Sequence, residues 1–523
     1  MSALEAPKWA HGYRTDLEYT FGLYGFLNPD LLLLRPVLLG IDPSTSVVSA
    51  GAKESRNITY CELGSGQGMS LNFMAARDPG GTYIGVDYNP AQVKNARNFA
   101  EAANLKNVKI FEESFENLND LDMPDLDVVV LHGIWSWISK DMREKIVKFL
   151  RKRLKPGGLC YNSYNCTVGR ASELPMRRLF ISAEKAAAGK GVNGVTNAVG
   201  MMTELSELGA RYFAKNDVVK TRLKEFSKQD PAYIIHEYLN DDWHPFFFSE
   251  VADELGEAKL NFVGQYHMAR NMPKLALPNE TQPHFERFTK VADKELLKDI
   301  WSNSAFRQDI YIKGPQTLRP EKQRDILTSL RYTLAVPREN CGLNVQFPGG
   351  SAKLPEKPYA AILDALAEKI VSGAEILKII KKEAPKSTIS GVLSVLVAAG
   401  YISLAADERA VPRISKSLKG FDIAVADLAG AGINQFHVAL PALASFKSFS
   451  FLNYYIWQAT VRKSDDREGY VLDQLRSTGR QLLRNNEVVS DKKQTTDIIR
   501  EHIRVFDATL RPLTRFIESR AEN

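Results

Sequence analysis

The sequence predicts an α/β protein whose core is a mostly parallel, Rossmann-like sheet. Residues 57–165 alternate short apolar runs with segments of helical spacing, an order that is typical of parallel sheets. A glycine-rich loop, Gly64-Ser65-Gly66-Gln67-Gly68, lies between the first apolar run and the first helical segment. An acid, Asp87, ends the second apolar run, at the edge of the sheet where such folds bind ligands.

Five strands and three helices are predicted in this segment, and two later strands complete the same sheet. The strands are residues 58–63, 82–87, 108–112, 127–132, 159–163, 260–268 and 308–313, and the helices are residues 69–76, 90–103 and 140–154. A Lys155-Pro156-Gly157-Gly158 turn leads from the last of these helices into the fifth strand. A further helix, residues 246–255, is predicted just before the sixth strand.

The remainder of the chain is predicted to be largely helical. Residues 171–230 carry helical spacing and no strand pattern, so they form an insertion in the sheet domain or a cap over its site. A separate domain over residues 185–340 is the alternative. After a loop-rich linker at 313–358, three short helices and a strand at 401–404 resemble a winged helix. Its basic residues are interleaved with acids, which favours packing or partner docking over DNA binding.

The predicted domains follow from these elements. They are an N-terminal helical cap (1–54), a cofactor-binding catalytic domain (55–315), a linker with the winged-helix-like unit (316–420) and a helical C-terminal region (421–523).

Bulk composition argues against several classes of protein. The chain has 68 Lys and Arg against 62 Asp and Glu and no clustered basic face, so no nucleic-acid partner is expected. The four cysteines lack a CxxC pair and are expected to be reduced thiols. Asp241, Asp242 and His244 favour a solvated turn over a metal site, and no metal is predicted. Without a signal peptide or membrane-spanning run, a soluble cytoplasmic protein is expected.

The acid before the glycine loop indicates what kind of ligand the loop binds. Glu62 lies two residues before Gly64, where a carboxylate would repel a bound phosphate. A ligand with an ammonium group and a sulfonium centre suits that carboxylate. Asp87 can accept hydrogen bonds from both hydroxyls of a ribose. Ser114 and Phe115 follow the third strand, where an adenine ring would lie.

These motifs resemble the class I methyltransferases that use S-adenosylmethionine (SAM), and the resemblance covers the first five strands. It implies SAM as the cofactor. The cofactor-binding residues that it implies are Glu62, Gly64, Ser65, Gly66, Gly68, Asp87, Tyr88, Ser114, Phe115 and His132. Many members have an aspartate after the third strand that binds the adenine amino group. This chain has Ser114 there, so its hydroxyl and the Phe115 backbone are expected to contact adenine.

Further stretches resemble a narrower group. They are residues 132–138, 162–166 and 230–239, together with Tyr24, Asn28 and Pro29. These resemble bacterial methyltransferases with a methyltransferase regulatory domain, which are similar to rickettsial protein-lysine methyltransferases. The likeness covers roughly residues 13–315 and implies a protein substrate.

Loops after the fourth and fifth strands are expected to receive the methyl acceptor. The predicted acceptor-side residues are His132, Trp135, Trp137, Tyr164, Asn165 and His236. The aromatic rings, with Tyr238, would wall a channel, although packing is an alternative role for them. A structural hydrogen bond is the alternative for His132. His236 and Glu237 could act as an acid/base pair, but neighbours on a helix point apart, so at most one faces the site.

Three functions remain open on the sequence alone. The first is methylation of lysine side chains in a protein that the C-terminal units dock. The second is O-methylation of a small molecule or polysaccharide, and the third is a SAM-binding regulator without catalysis. No membrane insertion is expected, and homodimer formation is left open.

Overall fold

A computed structural model describes residues 22–43, 57–186, 192–226, 229, 231–240, 242–406, 410–428, 435–440, 445–462, 464–484, 487–489 and 491–509. A seven-stranded sheet forms the centre of this described part. Its strands are β1 (Thr59–Leu63), β2 (Thr82–Asp87), β3 (Val108–Glu112), β4 (Leu126–Leu131), β5 (Leu154–Asn165), β6 (Leu260–Gln265) and β7 (Phe306–Lys313). Their order is β3-β2-β1-β4-β5-β7-β6, with β1 to β5 parallel and β7 antiparallel to both neighbours. The predicted Rossmann-like sheet is confirmed.

Helices surround this sheet and continue to the end of the chain. The longer helices are α1 (Pro29–Leu38), α2 (Met69–Arg77), α3 (Pro90–Ala102), α4 (Lys140–Arg153), α5 (Leu174–Ala186), α6 (Val192–Glu207), α7 (Asp217–Phe226), α8 (Pro231–Tyr238), α9 (Phe248–Gly256), α10 (Val291–Ser302), α11 (Pro320–Ser329), α12 (Glu356–Glu368), α13 (Gly373–Glu383), α14 (Ile389–Ala398), α15 (Val411–Leu428), α16 (Phe451–Val461), α17 (Arg467–Ser477) and α18 (Lys492–Thr509).

Alternate residues of the strands pack against two separate helical layers. In β1 the side chain of Tyr60 joins the core formed with α2 and α3, whereas that of Cys61 joins the core formed with α4 and α9. Val128 and Val129 of β4 divide in the same way. This alternation follows from the two-residue period of a strand. Burial on both faces explains why the sequence shows near-continuous apolar runs there.

The predicted turn before the fifth strand is part of β5. The strand begins at Leu154, which pairs with Leu126, and the pairing then shifts so that Leu159 lies opposite Val128. Gly157, with a φ of 78°, lies within the resulting bulge. A positive φ is favourable for glycine, so the sequence signal for a turn marks an irregularity inside the strand.

Helices α5 to α8 form a unit with a hydrophobic core of its own. Its buried members include Phe180, Met202, Phe226 and Ile235. These helices span the insertion that was predicted at about 171–230 and continue to Tyr238. The unit lies over one end of the cavity described below, because Glu237 of α8 lines that cavity.

The predicted linker at 313–358 contains regular structure, so its description as loop-rich is corrected. It holds α11, β8 (Arg331–Leu334) and a hairpin of β9 (Asn344–Phe347) and β10 (Gly350–Lys353). Strand β8 pairs with β11 (Val371–Ser372) and β12 (Ile402–Ala405) in a three-stranded antiparallel sheet. The three predicted helices are present as α12, α13 and α14, and α1 packs between this unit and β6.

The C-terminal region is not purely helical, which corrects the prediction for residues 421–523. Strands β13 (Gln435–Leu440) and β14 (Ser445–Ser450) pair as an antiparallel hairpin, and Leu483–Arg484 pairs with Glu487–Val488. Phe436, Val438 and Leu440 alternate with other residues in the two-residue period of a strand. That pattern was missed because helical segments flank it on both sides.

Helix α15 connects the C-terminal region to the layer behind the glycine loop. The ring of Phe421 lies 5.5 Å from that of Phe73 in α2 and 5.3 Å from that of Phe99 in α3. Across the described ranges, no helix is long and apolar enough to span a membrane, and no group of three or more His, Cys, Asp or Glu side chains is arranged to hold a metal ion.

Candidate active site

A cavity of about 430 Å³ opens at the carboxyl ends of β1, β2, β4 and β5. This edge includes the point between β1 and β4 where the strand order reverses, which is the usual ligand site of open α/β sheets. The volume lies within the range of small-molecule sites. All the predicted cofactor residues line the cavity: Glu62, Gly64, Ser65, Gly66, Gly68, Asp87, Tyr88, Ser114, Phe115 and His132.

The glycine loop requires glycine for both conformation and space. Gly64, Gly66 and Gly68 have φ values of 73°, 52° and 71°, in the left-handed region that side chains disfavour. A Cβ atom on Gly68 would lie 2.5 Å from the Cβ of Ala96 in α3. The loop therefore turns tightly under the cavity and packs closely against α3.

Asp87 fixes the glycine loop from the neighbouring strand. Its Oδ2 accepts a hydrogen bond from the Gly66 N–H at 2.8 Å, and its Oδ1 accepts one from the Asn89 N–H at 2.9 Å. Burial raises the pKa of Asp87, while these backbone N–H groups oppose the shift. The carboxylate thus lies at the end of β2, as a ribose-binding acid requires.

Glu62 is a buried carboxyl group with one oxygen that has no partner among the described residues. It is 5% exposed, and within the described chain its Oε2 has no hydrogen-bond partner; the same holds for the Oγ of Ser65. Burial and the neighbouring Asp87 raise the pKa of Glu62 to about 8. Buried polar atoms are rarely left unpaired, so these two await a ligand. An ammonium group beside Glu62 would satisfy it, and the residues therefore fit SAM.

We expect SAM binding to release a proton from Glu62. With a pKa of about 8, this side chain is mostly protonated at pH 7 in the free protein. A bound ammonium group favours the carboxylate, so the pKa falls and the proton leaves. Affinity for SAM should therefore rise as the pH increases from 6 to 8, by up to about tenfold per pH unit, and level off above that range. Calorimetry at pH 7 in buffers of different ionisation enthalpy counts the released protons.

The Glu62→Gln variant is the control for this experiment. SAM has an ionisable amino group of its own, and the difference between the protein and the variant isolates the Glu62 contribution. Equal proton release by both would contradict a titrating Glu62.

The adenine end of the cavity lacks the acid that many class I methyltransferases have there. The Ser114 hydroxyl accepts a hydrogen bond from the Glu116 N–H at 3.3 Å and so caps the short helix Phe115–Asp120. Its own hydrogen remains available as a donor. Phe115 is buried and lines the cavity beside it. Their adenine contacts remain predictions.

His132 is a neutral histidine in an aromatic surround. Burial lowers its pKa to about 4. Its Nδ1 lies 2.9 Å from the Ser163 Oγ, which already accepts a hydrogen bond from the Gly133 N–H. The Ser163 hydroxyl can therefore donate to Nδ1, an arrangement that assigns the ring hydrogen to Nε2. Tyr24 packs edge-on to the ring at 4.4 Å. With so low a pKa, His132 is a poor base at neutral pH.

Two of the predicted acceptor-side residues, apart from His132, line the cavity. Trp137 lies in the turn after β4, and Asn165 is the last residue of β5. Asn165 is 1% exposed, and neither atom of its carboxamide has a hydrogen-bond partner among the described residues. It is a further buried polar group that can receive a ligand.

Trp135 and Tyr164 do not line the cavity, so their predicted role in a channel is corrected. Both are 0% exposed and belong to the core beneath α4 and α9. The Tyr164 hydroxyl donates to Asp309 Oδ2 at 2.6 Å. Tyr164 and Asn165 are adjacent in a strand and therefore point to opposite faces, so at most one of them faces the ligand. Tyr238 is also buried, and its hydroxyl donates to Glu173 at 3.0 Å.

Residues from the helical unit, from its flanks and from β7 also line the cavity. His236 lies in α8, but its side chain is outside the described part of the structure. Its neighbour Glu237 lines the cavity, together with Arg170, Asp242 and Phe306. The sequence offered a signal for Glu237, as half of a candidate acid/base pair, and for Asp242, as part of a predicted solvated turn with Asp241 and His244. Arg170 and Phe306 lie at the cavity because of tertiary packing, which no local sequence motif indicates.

Comparison with known families agrees with this architecture. Residues 61–160 match the family described as "Methyltransferase domain", and residues 230–313 match the "Predicted methyltransferase regulatory domain". An uncharacterised protein of Synechocystis is 31% identical over 506 residues, which cover 97% of this chain and 98% of that protein. An uncharacterised protein of Rickettsia prowazekii is 23% identical over 302 residues, covering 57% of this chain and 52% of that protein.

Solved structures share the fold over nearly the whole chain. PKMT2 from Rickettsia typhi has a TM-score of 0.64 and 18% identity, with 96% of this chain and 99% of that chain covered. The structure of the same protein in complex with AdoHcy gives a TM-score of 0.65 and 19% identity over the same shares. The similarity includes the C-terminal units, which the sequence resemblance matched only in general layout.

Proposed function

The chain belongs to the class I SAM-dependent methyltransferases that carry a methyltransferase regulatory domain, and from this premise we propose that it methylates lysine side chains of a protein substrate. The observation that carries the proposal is the charge of the cavity end beyond the cofactor residues. The carboxyl groups there are Glu237 and Asp242, and the aromatic walls are Trp137 and Phe306. A protonated amine on a slender aliphatic chain suits this surround, whereas an anionic acceptor would be repelled.

Arg170, which also lines this end of the cavity, is paired with another acid and does not neutralise Glu237 and Asp242. Arg170 Nη1 lies 2.9 Å from Glu173 Oε2, and Glu173 also accepts from the Tyr238 hydroxyl. Arg170 is therefore engaged with an acid that does not line the cavity. The remaining negative charge favours a cationic acceptor.

A lysine acceptor must lose a proton before it can react. At pH 7 a free lysine with a pKa of about 10.4 is neutral roughly once in 2,500 molecules, and deprotonation costs about 4–5 kcal/mol. SAM, when bound, supplies an electrophilic methyl group on a sulfonium centre. The chain's task is to align the amine with that methyl group and to favour its neutral form through burial and aromatic contact.

O-Methylation of a small molecule or polysaccharide has less support. His132, with a pKa of about 4, is a poor base for a hydroxyl acceptor, and an uncharged hydroxyl gains less than an ammonium group from the carboxyl groups of Glu237 and Asp242. The fold similarity to PKMT2 from Rickettsia typhi extends over the C-terminal units, and we propose that these units dock the protein substrate. A homodimer remains a prediction.

Methyl transfer to cell protein tests the proposal directly. The purified chain is incubated with methyl-labelled SAM and a cell extract, and protein is separated from small molecules. We expect label in protein that survives mild base and is recovered as methyllysine after acid hydrolysis. Label confined to small molecules, or lost from protein in mild base as from a methyl ester, would contradict the lysine acceptor. The Asp87→Ala variant gives the background of the assay.

A further inference from the structure

We propose that the Glu237 carboxylate receives the acceptor ammonium group and takes its proton before methyl transfer. The inference rests on the proposed lysine acceptor and names the residue that prepares it. The N–H bond breaks and its proton forms an O–H bond on Glu237, so the amine becomes neutral. The amine nitrogen then bonds the methyl carbon as the C–S bond breaks and its electron pair stays on sulfur, which leaves a methylammonium product and S-adenosylhomocysteine.

The position of Glu237 follows from how α8 packs. Ile234, Ile235 and Tyr238 are buried in the core of the helical unit and fix the rotation of the helix. With that face turned into the core, Glu237 lies on another side of the helix and lines the cavity. The helical unit thus holds the carboxyl group over the acceptor end.

Glu237 is available for a ligand. Within the described residues, its carboxyl group makes no hydrogen bond and no ion pair, although positive charge lies nearby. Arg170 donates to Glu173 at 2.9 Å, and Arg222 Nε lies 3.7 Å from another oxygen of Glu173. Arg170 thus pairs with Glu173, and Arg222 pairs more closely with Glu225, at 2.9 Å, so neither guanidinium group forms an ion pair with Glu237, which is left for a cation that enters from the cavity.

The surroundings of Glu237 also suit proton transfer. Burial raises its pKa to about 7, against the opposing effect of Arg170 and Arg222 and with a further contribution from Glu173. The other titratable groups near it are the Tyr238 hydroxyl and Asp242, which lines the same cavity; the His236 side chain is not described. A base with a pKa near the working pH is partly ionised and can still hold a proton.

Asn165 gives independent support for a polar acceptor at this place. Its carboxamide is buried at the end of β5, lines the same cavity and has no partner on either atom within the described chain. Its Oδ1 can accept a hydrogen bond from the amine. Two contacts, one from Glu237 and one from Asn165, would orient the nitrogen for an in-line attack.

The experiment compares the protein with Glu237→Gln at several pH values. In the unaltered protein, turnover at saturating SAM should rise as the pH increases through about 7 and then level off, because Glu237 must be ionised. In Glu237→Gln we expect turnover at pH 7 to fall by about 10²-fold or more. That loss should shrink as the pH rises toward 9.5, where more of the lysine is neutral without help.

Binding gives a second readout that needs no turnover. The probe is Nα-acetyl-lysinamide, titrated at pH 7 into the protein saturated with S-adenosylhomocysteine. Glu237→Gln should weaken probe binding by about tenfold and leave S-adenosylhomocysteine affinity unchanged. Asn165→Ala should also weaken probe binding but keep the pH profile. Glu207→Gln, an exposed residue of α6 in the same helical unit, is the matched control and should change neither.

The outcomes separate this inference from the proposed function. If the unaltered protein forms no methyllysine, the lysine acceptor is wrong. If it forms methyllysine and Glu237→Gln keeps the same rate, pH profile and probe affinity, the role of Glu237 is overturned and the lysine acceptor stands. Should Glu237→Gln fail to fold, Glu237→Asp retains a carboxyl group and should keep a pH profile that levels off near neutrality. If turnover rises steadily to pH 9.5 in both the unaltered protein and Glu237→Asp, the inference is overturned.

Discussion

Replacement of Asp87 by alanine is expected to weaken SAM binding by about 10²-fold or more, while the sheet stays folded. The carboxylate holds the glycine loop through the Gly66 N–H and the start of α3 through the Asn89 N–H. It is also the acid at the end of β2 that can accept from the ribose hydroxyls. Each hydrogen bond to a charged group contributes about 1.5–3 kcal/mol. Losing the two that Asp87 can accept from the ribose hydroxyls therefore weakens SAM binding by about 10²-fold or more. Calorimetry with SAM measures it.

The matched control is Glu112→Ala, at the end of the adjacent strand β3. Glu112 is exposed and is not among the residues that line the cavity. Its replacement should leave SAM affinity within about twofold. An unchanged affinity in Asp87→Ala would remove the ribose assignment, and equal losses in both variants would indicate a general effect of charge at this edge.

The sheet and the cofactor half of the site could be predicted because their signals are local. Buried parallel strands produce short apolar runs in the sequence. The three loop positions at positive φ favour glycine over any other residue, so the loop has a recognisable sequence. Glu62 was identified because an acid beside such a loop excludes phosphate and suits a cation, and Asp87 because it ends the second strand, where it can accept from ribose hydroxyls. Each of these features depends on residues close together in sequence.

The acceptor half depended on contacts between distant segments and was only partly predicted. Tyr164 and Asn165 are neighbours in sequence, yet the buried partner Asp309 draws one into the core and leaves the other at the cavity. The packing of the helical unit decides that Glu237 lines the cavity. The residues that contribute to this rotation, Ile234 and Tyr238, resemble ordinary core positions in the sequence.

Asp309 also belongs to a buried ion cluster around Arg307 that joins β7 to α10. Arg307 is 1% exposed. Its guanidinium nitrogens lie 2.6 Å from Asp299, 3.0 Å from Glu295 and 3.0 Å from Asp309. Its Cζ lies 4.7 Å from the ring of Phe248. Three carboxyl groups therefore depend on one fully buried cation, apart from the contact of Lys298 with Glu295.

We expect Arg307→Met to lower the free energy of unfolding by about 3–5 kcal/mol, the usual cost of removing one partner from a buried ion pair. Methionine fills part of the volume but leaves the acids without their cation. Because protonated carboxyl groups need no cation, the loss should shrink as the pH falls toward 4, near the usual pKa of Asp and Glu. Urea unfolding, followed through the transition in which SAM binding is lost, gives the free energy from the midpoint and slope.

Arg338→Met provides the comparison on the surface. Arg338 Nε lies 2.7 Å from Asp364 Oδ1, and the two side chains are 35% and 64% exposed, so this variant should lose at most about 1 kcal/mol. The contrast tests burial, because each variant removes an arginine from an ion pair of similar length. If Arg307→Met loses as little as Arg338→Met at pH 7, water or a rearranged Lys298 must satisfy the three acids. The cluster would then not be what joins α10 to β7.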